Sequence, residues 1–433
     1  MEMMKMMNKT GRGICASPER TIGLLLFCFL LFLSGSIAYG DENKKEIQEK
    51  QEIVTIWQAS DLHYLSPSLT DHGAYFERMV KNADGKVMDY CEEVVDSLIQ
   101  AAVEEKPDVC ILSGDLTFNG ARKGHEEFAE KLLKVLEAGV QVLVIPGNHD
   151  IACPYAATFS GDQFEHVENL SGEEFLELYH RFGYDDARSR DEASLSYMAE
   201  VTEKLRILML DVNTEDSPGF LKAETREWVE RELIKAHEAG AQVIAVSHQN
   251  IFAHNRLFFD SYVIGAASSL PALYQKYGVL LNLSGHMHIQ HIQENEDGFC
   301  EIAVSSLMSY PNQYNVIKVG ENSLESHTVS CRVDLPEEDP AIAAYGSFEQ
   351  YAHDFFWDLS YQKVIGETDA SEEDMRRFFA DVNIGYFSGR LDQVNWDDAL
   401  YERWRQKSNM VTLYLMSIVE ERDSNQTRLT LSY

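Results

Sequence analysis

The sequence has few basic residues relative to its acidic ones. Lysine and arginine total 37 against 71 aspartates and glutamates, which gives a formal net charge of −34. A surface with this charge repels a phosphate backbone, which argues against a protein that binds DNA or RNA tightly and non-specifically. A catalytic cleft can differ from the rest of the surface, because bound cations can make it locally positive.

Cysteine is also scarce and irregularly placed. Of the seven cysteines, Cys15 and Cys28 lie in the N-terminal segment. The remaining ones are odd in number and widely spaced: Cys91, Cys110, Cys153, Cys300 and Cys331. They form neither a disulfide framework nor a Cys-x-x-Cys metal site, so buried thiols are the better interpretation.

The N-terminus has the pattern of an export signal. Basic residues precede the apolar run Thr21–Leu33, and the small residues after it end in Ala38-Tyr39-Gly40. This order predicts a signal peptide over residues 1–40 that is cleaved before Asp41, with a charged spacer over 41–52. We therefore expect a secreted or cell-envelope protein. An uncleaved N-terminal anchor is the alternative.

From Ile53 onward, short apolar runs alternate with amphipathic stretches, which predicts an α/β domain over residues 53–334. The acidic, proline-containing stretch that begins at Leu335 indicates a linker. Residues 335–433 are predicted to form a smaller, mainly helical accessory domain. Within it, the periodic stretch Asp397–Glu421 is expected to be one long helix.

Five short polar segments each follow a predicted strand or lie at its end. They are Asp61-Leu62-His63, Gly114-Asp115, Gly147-Asn148-His149-Asp150, Ser247-His248 and Gly285-His286-Met287-His288. In α/β sheets the carboxyl ends of strands are where ligand sites collect. Side chains alternate along an extended chain, so Asp-x-His and His-x-His each place two donors on one side.

The donor types in these segments indicate a metal centre. Carboxylate and imidazole together suit Mn, Fe, Zn or Co better than Ca or Mg alone. The set exceeds what one four-coordinate ion needs and fits two ions that share a bridging carboxylate. The predicted ligands are Asp61, His63, Asp115, Asn148, His248, His286 and His288.

This set, in this order, resembles the calcineurin-like metallophosphoesterase superfamily over roughly residues 53–330, and its bacterial branch that includes cyclic-nucleotide phosphodiesterases. The resemblance implies two packed mixed β-sheets flanked by helices. It implies that Asp61, His63 and His288 hold one ion, that Asn148, His248 and His286 hold the other, and that Asp115 bridges them. It further implies a hydrolase of small phosphoesters, a phosphodiesterase or phosphatase, in which a bridging hydroxide attacks phosphorus.

His149 is the predicted catalytic residue, because the resemblance places it near the phosphate, where it stabilises charge or protonates the leaving group. Two neighbouring positions depart from related enzymes. Purple acid phosphatases have tyrosine where this chain has Phe118, and protein phosphatases have Asp followed by Arg where it has Phe118-Asn119. The carboxylate that orients the histidine in protein phosphatases is therefore missing, and Asp150 is a candidate substitute.

Other interpretations stay open at this point. A nucleotidase or nuclease of the same fold is the nearest alternative, and a non-catalytic binding scaffold is another. Envelope association through the N-terminus or the C-terminal domain is also expected. The insertions Ser66–Lys86 and Cys153–Arg190 are expected to form pocket walls. Arg256 is a candidate phosphate contact.

Overall fold

The computed structural model describes residues 53–82, 84–259 and 261–433. The predicted signal peptide and spacer lie outside these residues. Gln51–Tyr433 form one compact unit. In the part of the chain described, no helix has the length and apolarity needed to cross a membrane.

The described residues alternate strands and helices as the sequence predicts. The strands are β1 Val54–Ala59, β2 Val109–Leu112, β3 Gln141–Val144, β4 Ala157–Ser160, β5 Gln163–His166, β6 Ser189–Arg190, β7 Tyr197–Thr202, β8 Leu205–Leu210, β9 Gln242–Ser247, β10 Val279–Ser284, β11 His291–Glu294, β12 Cys300–Ala303, β13 Gln313–Val319, β14 Ser323–Ser330 and β15 Arg428–Ser432. The helices are α1 Ala74–Val80, α2 Cys91–Glu105, α3 Arg122–Glu137, α4 Gly172–Tyr179, α5 Ala223–Glu238, α6 Leu270–Lys276, α7 Pro340–Tyr345, α8 Phe348–Lys363, α9 Glu373–Phe387, α10 Asp398–Lys407 and α11 Met410–Ile418.

Two mixed sheets form the centre of the molecule. The first has the order β15-β14-β13-β1-β2-β3, and the second has the order β11-β12-β10-β9-β8-β7-β6. Strands β1, β2 and β3 run parallel, as do β8, β9 and β10. The central strands are buried almost completely and consist mainly of apolar residues, without the polar alternation of a half-exposed strand.

Buried polar side chains join the two sheets near their strand ends. The Gln58 side chain in β1 donates to the carbonyl of Ser284 in β10 over 3.0 Å. The same side chain accepts from Asn315 in β13 at 3.0 Å. Because each of these groups is buried and paired, the hydrogen bonds fix how the ends of β1 and β10 lie against each other.

The C-terminal helices share a core with the sheets. Phe348 and Ala352 of α8 are buried in the same cluster as the strands of the first sheet, and β15 pairs with β14 at its edge. Met287 and Ile289, from the segment that carries two predicted ligands, pack with the apolar side chains of α9, α10 and α11. The predicted domain boundary at residue 335 stays a prediction, while the mainly helical character of the region is confirmed.

One predicted helix was wrong in its extent. The stretch Asp397–Glu421 contains α10 and α11 rather than a single helix. Ser408 has a left-handed backbone conformation (φ 51°), which ends α10, and the Asn409 side chain then accepts from the backbone N–H of Thr412 to begin α11. Capping chemistry therefore overrides an apolar periodicity that runs through both segments.

Candidate metal centre

The predicted ligands lie at the carboxyl ends of five parallel strands. Asp61 and His63 follow β1, Asp115 follows β2 and Asn148 follows β3, all in the first sheet. From the second sheet, His248 follows β9, while His286 and His288 follow β10. The two sheets meet at this edge, where His248 Nδ1 donates to the carbonyl of Ser113 over 2.9 Å. The fold thus brings together residues that are far apart in sequence.

Four side chains form a first donor cluster. Asp61, His63, Asp115 and His288 each offer an atom within 4.8 Å of the others. His63 Nε2 and His288 Nε2 are 3.2 Å apart, and Asp61 Oδ1 is 3.2 Å from His288 Nε2. Asp61 Oδ1 is buried and makes no hydrogen bond of good geometry within the described residues. A cation between these atoms would satisfy all of them.

A second cluster consists of Asp115, His248 and His286. Asp115 Oδ1 is 3.3 Å from His248 Nε2, and Asn148 Oδ1 is 3.1 Å from the same nitrogen. The other carboxylate oxygen, Asp115 Oδ2, lies 3.9 Å from His63 Nε2 in the first cluster. Asp115 therefore presents one oxygen to each cluster, which is the arrangement of a bridging carboxylate.

Main-chain carbonyls determine which histidine nitrogens carry lone pairs. A carbonyl can only accept, so His248 Nδ1 and His286 Nε2, which face the carbonyls of Ser113 and Ser261 at 2.9 and 3.1 Å, must be protonated. In the neutral rings the lone pairs lie on the opposite nitrogens. In the neutral His248 ring, Nε2 therefore carries no proton, although it faces two oxygen acceptors, Asp115 Oδ1 and Asn148 Oδ1. The donor set fits cations, and its mixture of N and O atoms fits Mn, Fe or Zn.

The pKa shifts of the predicted ligands reflect how closely their carboxylates and imidazoles lie together. Burial raises the pKa of Asp115, but His248 and His149 outweigh it and hold this pKa well below its ordinary value. Burial lowers the pKa of His248, yet the Asp115 carboxylate raises it to about 9. The pKa of His286 falls to about 4, through burial and then through His248. A proton on His248 thus balances the carboxylates, and a bound metal would replace it.

The backbone is strained at most of the predicted ligands. Five of them have left-handed φ angles between 44° and 66°: Asp61, His63, Asp115, His286 and His288. For residues other than glycine, such conformations cost on the order of 1–3 kcal/mol each. The surrounding sheets must supply that energy, and strain that recurs at one site indicates function.

Two glycines leave room for the ligand loops to approach one another. A Cβ on Gly285 would lie 1.9 Å from Ser60 Oγ and 2.6 Å from Asp61 Oδ2. A Cβ on Gly147 would lie 2.2 Å from both the amide nitrogen and Oδ1 of Asp115. The glycines that precede His286 and Asn148 are therefore needed for close approach.

His149 lies beside the first cluster, with Nε2 3.9 Å from Asp115 Oδ2. Its Nδ1 donates to the carbonyl of Phe118 over 2.8 Å, so a main-chain carbonyl orients the ring. Asp150, the candidate substitute, was the wrong partner. Its carboxylate accepts the backbone N–H groups of Leu116, Thr117 and Gly147 at 2.8–3.0 Å, which fixes the Asp115 loop against the Asn148 loop.

The metal clusters open into a cleft of about 880 Å³. Met79, Asn82, Asp84 and Lys86 line it, so the insertion Ser66–Lys86 forms one wall. Sequence reasoning missed Lys86, a cation that is only 8% exposed and lies in the cleft with Asp115 and His149. Burial lowers the pKa of Lys86, and Asp84 partly opposes this. A lysine inside a chain segment already expected to line the site was the available signal.

Arg256 does not line the cleft. Its guanidinium donates to the carbonyl of Met416 in α11. The insertion Cys153–Arg190 contributes Tyr155, Phe159 and Phe164 to a neighbouring cavity of about 560 Å³. Met79, Phe118 and His149 line both this cavity and the metal cleft.

The close approach at Gly285 gives a test of the site. We expect Gly285→Ala to lower metal content to about one-tenth or less, because the new methyl group pushes Asp61 out of place. Gly366→Ala is the matched control, since a Cβ there meets nothing within 4 Å. Metal content after dialysis, and the rise in Tm on adding Mn²⁺, would measure the effect. Full metal content in Gly285→Ala would contradict this account of the site.

Comparison with known proteins identifies the family of the chain. The family model described as calcineurin-like phosphoesterase matches residues 54–290, more than half of the 433 residues. No curated protein sequence matches the chain.

Several solved structures are similar to the chain at low identity. A dimetal phosphatase from Danio rerio is 13% identical and covers 65% of this chain and 98% of its own, with a TM-score of 0.47. The purple acid phosphatase PPD1 from yellow lupin (Lupinus luteus) seeds is 14% identical, with 66% and 53% covered and a TM-score of 0.42. GAP50, the anchor in the inner membrane complex of Plasmodium, is 12% identical, with 65% and 85% covered and a TM-score of 0.35. These TM-scores are low, so the assignment rests on the family model: the chain belongs to the calcineurin-like phosphoesterase family.

Proposed function

We propose that this protein hydrolyses phosphoester bonds of small molecules at a two-metal centre. The ions would be held by Asp61, His63, Asp115, Asn148, His248, His286 and His288. The observation that carries the proposal is the position of Asp115, whose two oxygens face two separate donor clusters at 3.3 and 3.9 Å. Two bound ions of Mn, Fe or Zn would polarise the phosphoryl oxygens and activate a water for attack on phosphorus.

His149 is the residue proposed to act on the leaving group. The carbonyl of Phe118 holds its Nδ1, which directs Nε2 toward Asp115, and the ring is partly exposed to the cleft. In the doubly protonated ring, Nε2 can donate a proton to the departing ester oxygen. A carbonyl accepts the Nδ1 proton in either state, so the ring keeps its orientation as it gains and loses the other proton.

Lys86 is proposed to stabilise charge on the substrate phosphate. It is buried and lines the cleft together with His288 and Asp115. A cation that is shielded from water interacts more strongly with a phosphate than a surface lysine does. It would supply positive charge in a protein whose surface is strongly acidic.

A nucleotide substrate, and hence a nucleotidase activity, is the second candidate. Phe220 and Phe259 are 56% and 61% exposed, and both line the metal cleft. Exposed aromatic rings near a phosphate site favour a substrate with a planar group that stacks on them. A non-catalytic scaffold receives less support, because all the predicted metal ligands lie in or beside the two donor clusters.

Asp115→Ala tests the metal centre directly. We expect metal-dependent hydrolysis of bis-p-nitrophenyl phosphate to fall more than about 100-fold, since even the outer partners of metal ligands contribute 10- to 100-fold. The assay uses full-length protein stripped of metal and reloaded with Mn, Fe, Zn or Mg. Hydrolysis of p-nitrophenyl phosphate, measured in parallel, gives the diester-to-monoester preference.

Asp186→Ala is the control for this assay, because it removes the same charge from an exposed position. It should retain both activity and metal. Near-normal turnover by Asp115→Ala with its metal retained would sink the proposal.

His149→Gln tests the proposed proton donor. General acid catalysis contributes about 10²- to 10⁴-fold when the leaving group is basic. We therefore expect a loss of about 100-fold or more with glycerol phosphate, and a loss of less than about tenfold with p-nitrophenyl phosphate, whose leaving group needs no proton. His166→Gln, an exposed histidine outside the metal cleft, is the control. Equal losses with both substrates would rule out proton donation by His149.

We further propose that the protein is exported through its N-terminal segment and acts outside the cytoplasm. The support is the order of basic, apolar and small residues before Asp41. Expression with a native export system, followed by N-terminal sequencing of the protein recovered outside the cytoplasm, is the measurement. A chain that begins at Asp41 is expected, and an intact N-terminus in that fraction would favour the anchor instead.

A further inference from the structure

A second cavity lies directly behind two of the proposed metal ligands. It has a volume of about 400 Å³, and its walls include His286, His288 and Tyr262, which also line the metal cleft. The two cavities are therefore neighbours that share these three side chains and Asp84. A volume of this size is within the range of small-molecule sites in proteins.

The interior of the second cavity is apolar. Its walls include Phe258, Met287, Phe379, Phe387, Val411 and Tyr414. Aromatic rings connect it to the metal centre: the centroid of Tyr262 is 5.2 Å from that of His286, and Phe258 is 5.8 Å from Tyr262. Phe258 is in turn 6.5 Å from Tyr414, on the far wall.

Several polar side chains in these walls already have partners within the protein. Tyr414 donates its hydroxyl proton to Asn383 Oδ1 over 2.7 Å, and Asn383 Nδ2 donates to Ser360 at 2.9 Å. The hydroxyl of Tyr386 accepts from Asn255 Nδ2 at 3.0 Å. A polar ligand would lose its own hydration here and find these groups already paired, whereas an apolar ligand loses nothing.

The mouth of the cavity differs from its interior. Lys363 and Asp84 form an exposed ion pair at 2.9 Å, and both residues line the cavity. Met410, at the start of α11, also lines it and is 71% exposed. Many of the residues that line the cavity come after residue 363, beyond the segment 54–290 that the family model matches.

We propose that this cavity binds an apolar group of the phosphoester substrate, so that the substrate is amphiphilic, with its phosphate at the metal centre and an alkyl chain or similar group among the C-terminal helices. The inference rests on the proposed function, because that function places the phosphate. It adds the substrate class and assigns the C-terminal helices a part in specificity.

The first test is a series of p-nitrophenyl alkyl phosphates with methyl, butyl and octyl groups. Full burial of one methylene group is worth about fourfold in binding, so kcat/KM should rise at least about tenfold from methyl to octyl. A flat series, with metal-dependent turnover of the methyl ester, would overturn this inference and leave the proposed function standing.

Met410→Asp tests whether the gain arises in this cavity. Aspartate in the first turn of α11 is compatible with the helix dipole, so the fold is not at risk. The octyl-to-methyl ratio should fall about tenfold, because a charged group at the mouth disfavours an alkyl chain beside it. Both substrates carry the same phosphate group, so the octyl-to-methyl ratio cancels any repulsion between the new carboxylate and the phosphate.

Leu413→Asp is the matched control, since Leu413 is on the same helix, is 45% exposed and does not line the cavity. It should keep the octyl-to-methyl ratio of the unaltered protein. An equal fall in both variants would assign the effect to surface charge and overturn the inference.

A binding measurement separates the two proposals if no ester is hydrolysed. Calorimetric titration of the metal-loaded protein with methyl-, butyl- and octylphosphonate needs no turnover. Affinity that rises with chain length, and that loses this rise in Met410→Asp, would support the cavity even where the hydrolytic proposal fails. Affinity independent of chain length would overturn it.

Discussion

The Asp115 carboxylate is the group around which the site is organised. It is buried at the junction of the two sheets, with one oxygen toward His63 and the other toward His248. Nitrogen and oxygen lone pairs converge on it from both sides, and such a cluster is stable only with positive charge at its centre. A proton on His248 supplies some of that charge, which is why the pKa of this histidine is raised to about 9.

Holding these atoms together costs free energy, which favourable interactions elsewhere in the fold offset. Asp61 and His286 are among the ligands with left-handed backbone angles, and each follows a buried strand of a different sheet. Asp150 fixes two of the ligand loops through three backbone N–H groups. Local conformational preference and global structure therefore conflict at the site, as expected where function rather than stability selects the geometry.

The C-terminal helices are connected to the same site. Met287, between two predicted ligands, is buried among apolar side chains from these helices, and the N–H of Gln290 donates to the carbonyl of Phe387 over 3.0 Å. Any displacement of α9 would be transmitted to the segment that carries His286 and His288. This packing links the region beyond the family match to the chemistry, and the apolar cavity lies where the two regions meet.

The sequence by itself determined the central parallel strands, the α/β class and the ligand-bearing segments, because each depends on a short pattern of apolar residues followed by Asp, Asn, His or Gly. It did not determine the partner of His149, which is the carbonyl of Phe118 rather than a carboxylate, nor the break between α10 and α11. The burial of Lys86 in the cleft and the existence of the second cavity depended on the tertiary structure. A side chain's neighbours across two sheets and a helical layer are set by packing over hundreds of residues, and no local periodicity records that packing.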